Sequence, residues 1–153
     1  MKKATLIFFA YTVVLFILII ISQSVYGNTI KVFTNPKVSQ YAFAANEIIS
    51  ALESRGIKGE IIHIDELSTD LRERLIVLTD KSDINTTNLY MEEVGEDFGH
   101  LGKQAFAIRT MMPMKSYWIF GGDVSGAKYG GLQLAEYILS DGVDIIIDEE
   151  QIP

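Results

Sequence analysis

The run Tyr117-Trp118-Ile119-Phe120-Gly121-Gly122-Asp123, continuing as Val124-Ser125-Gly126-Ala127-Lys128-Tyr129-Gly130-Gly131-Leu132-Gln133-Leu134, constrains the fold more than any other stretch. Four consecutive apolar or aromatic residues suit a strand covered on both faces, and the paired glycines end it. After Gly126 the apolar residues recur at helical spacing to about Ser140, where Asp141-Gly142 stops the helix. A strand that passes through a tight turn into a helix belongs to a layered domain of mixed α/β type. In that strand Trp118 and Phe120 point one way and Tyr117 and Ile119 the other, so core packing explains most of them. The glycine turn stands where helix-start N–H groups bind anions, but its spacing is neither a dinucleotide fingerprint nor a P-loop. We read it as a tight connection in which Asp123 or Ser125 caps the helix.

The upstream chain supplies the partners for this unit. Thr29-Ile30-Lys31-Val32-Phe33 alternates as a strand, and Asn35-Pro36 turns the chain. Ser39 is placed to cap a helix to about Arg55, with Gly56 as its stop. Tyr41, Ala44, Ala45, Ile48, Ile49 and Leu52 share one face of that helix, while Phe43 falls among the polar residues opposite. Glu60 to Ile64 forms a second strand, parallel to the first through a right-handed crossover. Asp65 to Arg72 holds one helical turn, and Leu75-Ile76-Val77-Leu78 reads as an interior strand. The polar stretch from Asp80 to Gly102 is a loop with a short helix around Asn88 to Val94. Gln104 to Thr110 and Ser116 to Phe120 are close enough in sequence to make an antiparallel hairpin. Val143 to Ile147 is placed as a last edge strand.

Residues 1–27 stand apart from this pattern. Lys2 and Lys3 precede an apolar run from Ala4 to Ile21, and Val25 and Gly27 offer the small residues of a cleavage site. The expectation is an exported protein whose signal peptide is cleaved after Gly27, leaving one domain over 28–153. The competing reading is an uncleaved anchor, since the run approaches the ~18 residues that cross a hydrocarbon core. Membrane contact would then come through residues 1–21, with the domain outside in either case. The chain has no cysteine, which excludes disulfides, thiolate chemistry and a lipidated cysteine. Without Lys2 and Lys3, 11 basic residues face 20 acidic ones, a balance that repels phosphate backbones and argues against nucleic acid.

Residues for chemistry are sparse. His63 lies in an apolar strand and His100 in a loop, neither with metal-ligand spacing, so no metal or cofactor is expected. Glu92, Glu93, Glu96, Asp97, Asp148, Glu149 and Glu150 lack the spacing of a calcium loop and read as solvated surface. Glycoside cleavage needs two carboxyls held around a sugar, and no pair is singled out, so no catalytic residue is assigned. An exposed Trp118 could stack on a sugar, which leaves a stand-alone carbohydrate-binding module as the alternative function.

Three segments, Gln104-Ala105-Phe106-Ala107-Ile108-Arg109, Tyr117 to Asp123, and Gly126-Ala127-Lys128-Tyr129-Gly130-Gly131-Leu132-Gln133-Leu134, together resemble the N-terminal accessory domain of glycoside hydrolases. The families concerned are the family 20 β-hexosaminidases and the family 67 α-glucuronidases. The resemblance implies an α/β fold of the two-layer α+β kind, a mixed β-sheet with two long helices on one face. It also implies a non-catalytic domain in carbohydrate processing, packed against a (β/α)₈ barrel that carries the catalytic carboxylates. On the two helices Phe43, Tyr129, Leu132 and Leu139 face away from their own core. They are the expected partner-facing residues, toward such a barrel or a second copy of the domain.

Overall fold

The computed structural model describes residues 29–68 and 73–153. The expected leader therefore lies outside the described residues. The strands are β1 (Ile30–Thr34), β2 (Gly59–His63), β3 (Leu75–Asp80), β4 (Phe106–Met111), β5 (Ser116–Gly121) and β6 (Asp148–Gln151). The helices are α1 (Ser39–Ser54), α2 (Ile84–Val94) and α3 (Val124–Asp141), with a short 3-10 turn over Ile64–Glu66.

All six strands join one sheet in the order β2-β1-β3-β5-β4-β6. The first four neighbours are parallel, with Val32 beside Ile61 on one side and Ile76 on the other, and Val77 beside Trp118. The expected hairpin pairs β4 antiparallel to β5, with Ile108 opposite Ile119. The parallel crossovers place α1 and α3 on one face, as expected, and they pack against each other as well as on the sheet. Ile48, Leu52, Leu134 and Ile138 are fully buried there, each contributing roughly 1.5–3 kcal/mol by leaving water.

The helices approach closely because their facing residues are small. A Cβ on Gly131 would stand 2.9 Å from the Cβ of Ala44, and one on Gly130 would press into Ile119 and the Phe106 ring. Arg55, at the end of α1, donates to the carbonyls of Ile138 and Leu139 and so ties the two C-termini together.

The other face is closed by aromatic residues. Trp118 and Phe120 meet Tyr90 of α2 at ring-centroid distances of 5.2 and 5.1 Å, and Phe98 stacks on Phe120 at 4.3 Å. Phe33, Val77 and Leu101 complete this second core.

Four local expectations are corrected. Ser39 does not cap α1; it is the first helical residue, preceded by Val38 with no side-chain cap. The helix expected near Asn88 starts at Ile84, because the Asp83 carboxylate accepts from the Thr86 N–H and caps it there. The glycine-rich helix begins at Val124, with Asp123 as its cap. The last strand is Asp148–Gln151, not Val143–Ile147. Residues 143–147 instead pass beneath β5, where the Tyr117 hydroxyl reaches the carbonyls of Val143 and Ile145 at 2.8 and 3.0 Å.

Candidate functional site

The glycine turn after β5 is tied to the start of β4 and to its own helix. Gly122 donates to the Ala105 carbonyl at 2.8 Å, and the Asp123 carboxylate accepts from Gly126 at 2.8 Å and from Gln104 at 3.1 Å. A Cβ on Gly122 would collide with the Gly102 carbonyl, and one on Gly126 with that of Ala105. Glycine is needed here for close backbone approach.

The polar group at the finishing ends of β1 and β3 is likewise engaged. Asp80 accepts from the Tyr41 hydroxyl at 2.6 Å with one oxygen, and from the N–H and hydroxyl of Ser82 with the other. Burial first, and then the Asp80 carboxylate, push the Tyr41 phenol far above its ordinary range. Tyr41 and Asp80 are both buried, so the pair fastens α1 to β3 and presents nothing to a substrate.

The carboxylates read as solvated surface include structural ones. Arg109, with a side chain only 12% exposed, pairs with Glu96 at 2.7 Å, Asp148 at 3.1 Å and Glu150 at 3.4 Å. Burial lowers the guanidinium's proton affinity, but the Glu96 bond and charge outweigh it and hold Arg109 above its ordinary value. Its other face lies over the Phe98 ring at 5.6 Å. His100 meets Glu150 at 2.9 Å, and His63 accepts from the N–H of Asp65. Glu96 and Glu150 thus serve the fold of the aromatic face.

A groove on the helix side has a volume of about 390 Å³. Tyr129, Leu132, Gln133 and Glu136 of α3 form one wall, and Gln104, Phe106 and residues 151–153 form the other. Tyr129 is 41% exposed, with the Lys128 ammonium 4.4 Å from its ring centroid. Of the four residues expected to face a partner, Tyr129 and Leu132 share this groove. Phe43 and Leu139 are each about half exposed, on α1 and on the last turn of α3, and do not line it. Gln104, Phe106 and the C-terminal residues were not foreseen, since the last strand was expected earlier in the chain. Glu136 is the one side-chain carboxylate lining the groove, whereas acid–base cleavage of a glycoside uses two. Trp118 is 0% exposed and offers no face to a sugar.

No family model and no curated protein matches the chain. Solved structures do match its fold. A GH138 enzyme targeting pectin rhamnogalacturonan II aligns with a TM-score of 0.52 and 19% identity over 82% of this chain. CpGH84D aligns with a TM-score of 0.56 and 13% identity, also over 82%. The GH115 4-O-methyl-α-glucuronidase BtGH115A, with specificity for decorated arabinogalactans, aligns with a TM-score of 0.50 and 17% identity over 73%. The chain spans only 14% to 19% of the length of these glycoside-hydrolase chains. Its fold is that of a small segment within larger enzymes.

Proposed function

We propose that this domain is a non-catalytic accessory unit of exported carbohydrate-processing machinery, and that it acts by packing against a glycoside-hydrolase catalytic domain. The observation that carries this reading is the size of the match: the fold aligns with a minor portion of three large glycoside-hydrolase chains. The groove beside Tyr129 and Leu132, together with the exposed Phe43 and Leu139, supports the helix-bearing side as the docking side.

Retention on immobilised polysaccharides and hydrolysis of aryl glycosides test this together. The full chain is expected to pass unretarded and to release no aglycone. Retention that is lost on Tyr129→Ala, or hydrolysis by the isolated chain, would overturn the proposal in favour of a sugar-binding or catalytic domain.

A further inference from the structure

The strand-start end of the domain carries apolar side chains near the point where the chain enters β1. The β4–β5 turn exposes Met112 (56%) and Met114 (38%), and the lead into β6 exposes Ile146 (69%). Met114 and Pro113 line a cleft of about 830 Å³ together with Val143 and Asp144, and Thr29 is on the same cleft. Several charges at this end are paired: Lys31 with Glu73 at 3.1 Å, Arg74 with Asp144 at 2.7 Å, and Lys115 with Asp144 at 3.7 Å. An end with exposed apolar side chains and several paired charges suits contact with a lipid surface.

Thr29 is also where the chain runs back to the apolar stretch. Ala4 to Ile21 contains no charged residue; it is longer than the ~7–15 residues of a signal-peptide core and reaches the ~18 of a membrane span. Only Ser22 to Asn28 separate it from the domain, a link that reaches at most ~25 Å. A domain of this length is about 35 Å across. The link is therefore too short for the domain to turn its far end to the bilayer.

We propose that the apolar run stays attached as a membrane anchor and that the strand-start end, through Met112, Met114 and Ile146, rests on the lipid headgroups. The accessory surface of α1 and α3 then stands at the side of an anchored domain, open to a partner on the same membrane. This inference is independent of what that partner is.

The absence of native cysteine makes single-site labelling clean. The full chain, with an environment-sensitive fluorophore at Met114→Cys, Ile146→Cys or Lys37→Cys, is placed in phosphatidylethanolamine/phosphatidylglycerol vesicles containing brominated lipid. Lys37 is exposed beyond the finishing end of β1. The expected result is a mass beginning at Met1 in the membrane fraction, with blue-shifted and quenched emission at 114 and 146 and water-like emission at 37. A product beginning at Asn28 and free of membrane would overturn the inference. So would an anchored chain whose labels at 114 and 146 are quenched no more than the label at 37.

Discussion

The two faces of the sheet are filled by opposite means. On the helix face, Ala44, Gly130 and Gly131 let α1 and α3 press together and onto β3, β4 and β5, and the outer sides of the helices remain exposed. On the other face, Trp118, Phe120, Tyr90 and Phe98 form a closed aromatic plug, with Arg109 and its carboxylates laid over the edge. One core is thereby filled by stacked rings and the other by close helix packing, and each layer keeps apolar side chains outside: Phe43, Tyr129 and Leu139 on α1 and α3, and Ile84, Met91 and Val94 on α2. What is exposed bears on function more than what is large: the sole tryptophan is structural, and among the described residues the exposed aromatic side chains are Phe43 and Tyr129.

This contrast can be broken at graded cost. Trp118→Ala empties the centre of the aromatic plug and should destabilise by about 3–5 kcal/mol; a denaturant midpoint close to that of the parent would show that the plug is not the second core. Overfilling the helix face should cost less. Gly131→Leu has to displace Ala44 and Leu78, and about 1–3 kcal/mol of lost stability is expected.

Alkaline titration probes both faces at once. Burial pushes Tyr117 on the helix face up to about 12, and burial followed by the Glu96 charge pushes Tyr90 on the aromatic face up to about 12. Between about pH 10 and 12 the unfolded phenols lose their protons while the folded ones keep them, so stability falls as pH rises through that window. Thermal melts should show no contribution from these groups at neutral pH and a declining midpoint above about pH 10, part of which Tyr90→Phe removes. An unchanged midpoint across the window would contradict the burial of both rings. The smallest effect belongs to the outer helix surface, where Tyr129→Ala should change stability by no more than about 0.5 kcal/mol. A larger loss would make Tyr129 part of the fold and not of a docking surface.

Much of this architecture was legible in the residues. The alternation of Tyr117, Trp118, Ile119 and Phe120 assigned each to its face, and the helical spacing separated Leu134 and Ile138 from Tyr129 and Leu139. The misplaced last strand has a physical cause. Val143 to Ile147 has the composition of a strand but is held under β5 by the Tyr117 hydroxyl. Asp148–Gln151 is charged and pairs only with β4, at an edge where charge guards against further pairing. The Arg109 network joins residues 13 and 41 positions away, and no local pattern reports such a distance. For the same reason half of the groove, its Gln104, Phe106 and C-terminal wall, was invisible until the sheet order was known.

The claim that the helix side docks a catalytic domain is tested most directly by photocrosslinking in the native cell, with a benzophenone amino acid placed at Tyr129 or at Met91. Both sites are exposed, Tyr129 on α3 and Met91 on α2 across the sheet. Mass spectrometry of the adducts is expected to find peptides of a glycoside-hydrolase catalytic domain from position 129 and none from position 91. Equal capture from the two positions, or no such peptide from 129, would contradict the account.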